Sequence, residues 1–196
     1  NAHYMIGLFR TSRCTEKNRR HGLTQFLIDM KSDGIRVNPI ADMAGGKDFN
    51  EVVFTDCFVP ENYQLGEVDE AWRQATSELA YERSGPERFL ETFSVLVELI
   101  RILGANPDRR EAENLGRLVA QLHTLRRMSV SVNGMLQAGK EPVGSIVKDL
   151  GTLWQQVLPT KVRNLATFID CTPAERAVFD DIMSFTLQIA PKLTIQ

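Results

Sequence analysis

The residues best suited to chemistry are the adjacent pair Glu82-Arg83, in the stretch LAYERSGPERF at residues 79–89. A carboxylate held in a largely apolar pocket has its pKa raised toward the working pH, as a general base requires. Pro86 lacks the amide that would bond to the Glu82 carbonyl, and Gly85 weakens the same turn, so we expect the helix to kink or stop there. Glu82 is therefore a candidate base. The residues alone favour the simpler alternative, a surface ion pair at a helix end.

Composition excludes several classes of function. The formal net charge of −2 provides no basic field, so nucleic acid is not an expected partner. The three histidines lack metal-ligand spacing, and no metal site is expected. No apolar run approaches 18 residues, so we expect neither a membrane span nor a signal peptide. Three distant cysteines argue against a disulfide framework and fit a reducing cytoplasm. They are Cys14, Cys57 and Cys171.

The first 66 residues have the pattern of β-strands. Short runs rich in β-branched and aromatic residues are separated by segments rich in turn residues. In the last run, alternate residues from Val52 to Phe58 share one face, which predicts a sheet with one buried side. Four strands leave exposed edges, so we expect further structure to cover them. The predicted strands are residues 3–10, 22–30, 35–40 and 50–59.

From residue 67 onward, apolar residues recur every three or four positions, which predicts helices. Long antiparallel helices joined by short loops pack as a bundle. We expect the third helix of this series to end at Pro159. The predicted stripes are Phe89, Phe93, Leu96, Ile100 and Leu103; Leu115, Leu118, Leu122, Leu125 and Met128; and Ile146, Leu150, Trp154, Val157 and Leu158.

The last predicted helix, in residues 172–191, carries its own start signal. Thr172 is a plausible N-cap, Pro173 takes the first helical position, and Glu175 lies at the third. This spacing predicts a capping box. Pro60 and Gly66 mark the predicted boundary between the β-rich and helical halves.

Several segments in order resemble the acyl-CoA dehydrogenase family. They are GLTQFLIDMKSDGIRVNPI at 22–40, FTDCFVPENYQLGE at 54–67, the aromatic Trp72 and LAYER at 79–83. The resemblance implies an α+β fold, with part of a middle β-barrel or sandwich domain in residues 1–66. An antiparallel bundle of the four-helix type would follow in residues 67–196, stopping short of that domain's end. Divergent members that act in lipid or steroid side-chain catabolism are the most similar type.

The resemblance also implies a reaction. The family removes two hydrogens from the α and β carbons of an acyl-CoA thioester: a glutamate takes the α proton, and the β hydrogen leaves as hydride to N5 of FAD. Some members carry this base in an E-R dipeptide of the first long C-terminal helix, and others in a later segment. Glu82 matches the first position, and Arg83 matches the arginine that shapes the substrate pocket. Arg101, three residues before Gly104, is the nearest counterpart of the family's flavin-contacting arginine.

The implied partners are an acyl-CoA substrate and, as electron acceptor, an electron-transferring flavoprotein. The family forms homodimers and homotetramers, and hetero-oligomers are a further expectation. Two alternatives stay open. The first is a flavin monooxygenase or oxidase on the same fold. The second is a non-catalytic subunit of a hetero-oligomeric acyl-CoA dehydrogenase, whose partner carries the active site.

Overall fold

The computed structural model describes residues 2–140 and 145–194. The chain forms two compact units, Asn1–Leu79 and Ala80–Gln196. The first is rich in strands and the second is helical. The boundary between the units falls inside the first helix, α1 (Ala71–Glu82), whereas the sequence places a domain boundary after residue 66. That domain assignment stays a prediction.

The first unit contains two antiparallel sheets. Three strands form one sheet in the order β1-β2-β5, and β3 pairs with β4 in the other. Neither sheet closes into a barrel within the described residues. The strands are β1 (Tyr4–Arg10), β2 (Leu23–Asp29), β3 (Ile35–Ile40), β4 (Phe49–Phe54) and β5 (Gln64–Leu65).

Aromatic contacts join the two sheets. The ring of Phe9 on β1 lies 6.3 Å from that of Phe26 and 5.6 Å from that of Phe54 on β4. The predicted alternation past Phe54 is wrong, because β4 ends there and Asp56 has a φ of 49°. A residue in this left-handed region cannot continue a strand. The exposed Phe58 follows this turn.

The second unit packs around one apolar core. Its long helices contribute residues that are almost completely buried, among them Leu99, Leu125, Leu158 and Phe179. Asp108 and Thr172 each accept a hydrogen bond in a capping box, so the start signal predicted at Thr172 is confirmed. The helices after α1 are α2 (Glu87–Leu90), α3 (Phe93–Leu103), α4 (Arg109–Gln137), α5 (Ser145–Ala166) and α6 (Pro173–Ile189).

The predicted helix end at Pro159 is wrong, because α5 continues through it to Ala166. A proline inside a helix costs about 3 kcal/mol or more through a lost hydrogen bond and a steric clash. Beyond Pro159 the helix buries Val162 and Ala166 completely or almost completely, and burial of apolar side chains offsets that cost. Packing therefore decides where this helix ends.

Two predicted stripes have some residues on the wrong face. Phe93 and Ile100 of α3 are 37% and 44% exposed, while Val95 and Leu99 are buried. On α5, Ile146, Leu150 and Val157 are likewise exposed by more than 40%. Both faces of these helices are apolar, so the period alone cannot select the face that meets the core.

Candidate active site

Helix α1 ends at Glu82, where the sequence predicts a break before Pro86. The Glu82 carbonyl, which Pro86 cannot reach with an amide, accepts instead from the Gly85 amide at 3.2 Å and from Arg88 Nε at 3.2 Å. The chain then starts α2 at Glu87. The break thus leaves the carbonyl satisfied and turns the chain so that residues six apart meet.

The Glu82 carboxylate forms an ion pair with Arg88. Arg88 Nη2 donates to Glu82 Oε1, and its Nε donates to the Glu82 carbonyl. The Arg88 side chain is only 8% exposed, whereas that of Glu82 is 46% exposed. Glu82 therefore lies in a charge pair that is open to solvent on one side, rather than in an enclosed apolar pocket. Arg83 is exposed.

Helix α4 supports the break from one side. Ser84 is fully buried, and its carbonyl accepts from Ser129 Oγ at 2.5 Å and from Asn133 Nδ2 at 3.5 Å. The Ser84 hydroxyl donates back to the Tyr81 carbonyl at 3.0 Å. The last backbone carbonyls of a helix have no hydrogen-bond partner within the helix. The bonds at Ser84 provide partners for such groups at the end of α1.

Helix α5 supports the break from the other side. Gln155 is 2% exposed; its Nε2 donates to the Glu87 carbonyl at 3.3 Å, and its Oε1 accepts from the Thr92 amide at 3.3 Å. Gly151, one turn earlier, lets α5 lie directly on the Arg88 backbone. A Cβ at Gly151 would overlap the Arg88 carbonyl oxygen and lie 2.9 Å from the carbonyl carbon. The segment that carries Arg88 is thus held by two helices.

Arg88 and the residues that support it are not predicted from the sequence. One signal was available, since the motif occurs twice in this stretch, as Glu82-Arg83 and as Glu87-Arg88. The pairing of Glu82 with the second arginine depends on the turn between α1 and α2. The supporting contacts from Ser129 and Gln155 join residues 45 and 68 positions apart, which local patterns do not predict.

Arg101, predicted to contact the cofactor, belongs to a different set of contacts. Its Nε lies 2.6 Å from Glu98 Oε2, and its Nη1 lies 3.6 Å from Glu175 Oε1. Two carboxylates already neutralise this guanidinium and would repel the phosphates of a dinucleotide. A flavin contact at Arg101 would have to displace these ion pairs, and it stays a prediction.

A basic cleft between α4 and α5 has a donor set that fits a phosphate-bearing cofactor better. It has a volume of about 480 Å³ and is lined by Arg110, Arg117 and Lys161, together with Asn114 and Asn164 among others. Guanidinium, ammonium and amide donors suit phosphate oxygens. Two of its cations have partners within the chain. Arg117 Nη2 lies 2.6 Å from Glu113 Oε1, and Arg110 Cζ lies 6.0 Å from the centroid of the Phe168 ring.

Other kinds of site find no support in the described ranges. No group of three or more histidine, cysteine, aspartate or glutamate side chains within them is placed to hold a metal ion. Across the same ranges, every helix is too short or too polar to cross a membrane. Cys14, Cys57 and Cys171 are free thiols.

Comparison with known proteins finds curated relatives that are named acyl-CoA dehydrogenases, although no protein-family profile matches the sequence. The chain is 28% identical over 192 residues to "Acyl-CoA dehydrogenase FadE34" of Mycobacterium tuberculosis, covering 96% of this chain and 27% of that protein. It is 28% identical over 152 residues to "Acyl-CoA dehydrogenase IpdE1" of Mycolicibacterium smegmatis, covering 74% of this chain and 39% of that protein. The chain thus spans well under half the length of these relatives.

A solved structure supports the fold. The crystal structure of the ChsE4-ChsE5 complex from Mycobacterium tuberculosis superposes with a TM-score of 0.70 at 20% identity, over 98% of this chain and 52% of that one. A small sheet region followed by a helical bundle is common to both. In its relatives, its fold and the order of its motifs, the chain is similar to acyl-CoA dehydrogenases, from which its sequence has diverged.

Proposed function

We propose that this chain supplies the proton-abstracting base of an FAD-dependent enzyme that dehydrogenates an acyl-CoA thioester between its α and β carbons. The observation that supports this most is the Glu82 carboxylate, held at a helix break by Arg88 and still 46% exposed. A catalytic base needs a fixed position and access to its substrate, and this arrangement combines the two.

The proposed role of Glu82 is confined to the proton. Arg88 engages Oε1, so Oε2 is the oxygen that takes the α proton. The electron pair of the broken Cα–H bond passes to the new carbon–carbon double bond as the β hydrogen departs with its electrons. When bound, FAD would supply the oxidising power of this reaction class as the hydride acceptor. Arg83, next to the base, is proposed to line the substrate pocket.

The basic cleft is the part of this chain best suited to hold the pyrophosphate of FAD. Arg110, Arg117 and Lys161 would supply charged donors there, with amide donors from Asn114 and Asn164 beside them. A contact between Arg101 and the flavin stays a proposal, and it requires that guanidinium to leave its two glutamates.

We further propose that the protein acts as an oligomer and passes its electrons to an electron-transferring flavoprotein. The ChsE4-ChsE5 complex, which has this fold, joins two different chains, and this supports a hetero-oligomer as one form. A homodimer or homotetramer is the other. Three free cysteines support a reducing compartment, the cytoplasm.

The test is a visible spectrum of the purified protein with FAD, recorded anaerobically before and after each of several thioesters is added. Butyryl-, isovaleryl-, octanoyl- and palmitoyl-CoA and a steroid side-chain CoA thioester cover the substrate classes. We expect one of them to bleach the flavin band in the native protein and to bleach it about 10²- to 10⁴-fold more slowly in Glu82→Gln.

Other outcomes identify the alternatives. A flavin that no thioester reduces would argue against dehydrogenation. Rapid reoxidation of the bleached flavin by dissolved oxygen would favour an oxidase or monooxygenase. No retained flavin at all would favour the non-catalytic subunit.

A further inference from the structure

We propose that Arg88 is a positioning residue for the reaction, acting through Glu82. This inference rests on the proposed function, because it assigns a role relative to the proposed base. Arg88 lies six residues after Glu82, beyond the helix break, and its side chain is buried in the helical unit.

One guanidinium holds Glu82 at two points. Arg88 Nη2 donates to the carboxylate and Nε donates to the main-chain carbonyl of the same residue. The planar, rigid fork of an arginine fixes both groups relative to each other, which a flexible ammonium cannot do equally well. The carbonyl is available because Pro86 provides no amide for it. The proline and the arginine thus act together to orient the carboxylate.

Arg88 is itself immobilised by its surroundings. Its backbone lies against Gly151 of α5, and the carbonyl of its neighbour Glu87 accepts from the buried Gln155. Upstream, the Ser84 carbonyl accepts from Ser129 of α4. A second carboxylate, Glu87, lies 4.0 Å from Arg88 Nε, at the edge of ion-pair distance. With its main chain held by α4 and α5 and its side chain only 8% exposed, Arg88 provides a rigid reference point for Glu82.

Positioning is distinct from simple stabilisation, and a double-mutant cycle separates them. In the complete protein, we compare Arg88→Met, Glu82→Gln and the double variant, using the thioester from the panel that is turned over fastest. A misplacement of about 1 Å costs a catalytic group on the order of 10²-fold. We therefore expect Arg88→Met to lower kcat about 100-fold, with KM changed little and flavin content unchanged.

In the Glu82→Gln background we expect Arg88→Met to add less than about threefold, because residues that act as one unit are strongly non-additive. Arg127→Met, which removes an exposed arginine of α4, is the matched control and should leave turnover unchanged. Arg88→Lys should recover part of the activity. Added guanidinium ion should restore turnover to Arg88→Ala and leave Glu82→Gln unaffected.

Three results would overturn the proposal: full activity in Arg88→Met, an equal loss in both backgrounds, or no recovery with guanidinium or lysine. If Arg88→Met does not fold, the same cycle with Arg88→Lys applies. A Glu82→Gln protein with native turnover would instead refute the proposed base, so the two failures are distinguishable.

Discussion

Gly151→Ala tests the contact between α5 and the segment that carries Arg88. Gly151 is buried in α5, where alanine has the higher helix propensity. The substitution should therefore stabilise the helix by about 1 kcal/mol if nothing else changed. The structure predicts the opposite sign, because the new methyl group would meet the main chain of Arg88.

The size of the effect follows from the geometry. The new Cβ would lie 2.9 Å from the Arg88 carbonyl carbon, closer than the 3.4–4 Å of ordinary contact, and would overlap the carbonyl oxygen. A backbone group cannot rotate away, so α2 and α5 must separate. Overpacking of this kind costs about 1–3 kcal/mol, and an obstacle in the backbone favours the upper end. After subtracting the gain in propensity, we expect a net loss of about 2 kcal/mol.

Thermal unfolding followed by far-UV circular dichroism measures this difference. A loss of about 2 kcal/mol should lower Tm by about 4–8 °C in a protein of this size. Gly116→Ala is the matched control, because Gly116 lies within α4 with nothing within 4 Å of its added Cβ. It should raise Tm by about 2–4 °C. Equal increases in both variants would refute the close approach of α5 to Arg88.

Three further predictions concern the support of the helix break, the N-cap of α6 and the basic cleft. Gln155→Leu removes the hydrogen-bond partner of the Glu87 carbonyl and of the Thr92 amide. It should lower the free energy of unfolding, measured in urea, by about 1–3 kcal/mol. An unchanged urea midpoint would contradict these hydrogen bonds. Thr172→Ala should cost about 1 kcal/mol at neutral pH through the lost N-cap. Because hydrogen bonds from the Thr172 amide and hydroxyl lower the pKa of Glu175, the associated stability is present above its unfolded-state pKa and is lost as pH falls through the lowered value. The free energy of unfolding that Thr172→Ala loses should accordingly be smaller at acid pH. A loss that does not change with pH would contradict this prediction. Lys161→Glu should weaken FAD retention about tenfold or more in a flavin-content titration. Lys140→Glu, which changes an exposed lysine after the end of α4, should not weaken it. Equal retention in both variants would exclude the basic cleft as the FAD site.

Local signals in the sequence predict part of this fold. Runs rich in β-branched and aromatic residues, bounded by turn residues, locate β1, β2 and β3 to within one residue at either end. The capping box at Thr172 is predicted because its residues are three apart and need no tertiary contact. The end of α1 at Glu82 follows from the missing amide of Pro86. Each of these depends on near neighbours in the chain.

The predictions that are wrong concern features that tertiary packing decides. Phe93 and Ile100 lie on a helix that is apolar on both sides, so only its neighbours decide which face is buried. Pro159 does not end α5, because the burial of Val162 beyond it outweighs the local cost. The two-residue strand β5 is too short for a periodic signal.

The residues of the candidate site likewise include some that local sequence predicts and others that only the fold brings together. Glu82 is identified from its dipeptide and the proline that follows, both of which are local features. Its partner is Arg88 rather than the adjacent Arg83, because the turn between α1 and α2 brings Arg88 back to the end of α1. The basic cleft joins Arg110 and Lys161 from two helices, 51 positions apart in sequence, so only the folded bundle brings them together.

The most direct test of the central claim measures proton abstraction itself, independently of hydride transfer. An acyl-CoA analogue with sulfur in place of the β carbon cannot be dehydrogenated, but its α proton can exchange with deuterium from the solvent. Mass spectrometry of this analogue, incubated in D₂O with the purified protein, follows that exchange. The account predicts rapid uptake with the native protein and uptake slowed by about 10²-fold or more with Glu82→Gln. Equal uptake with both proteins would show that another group is the base.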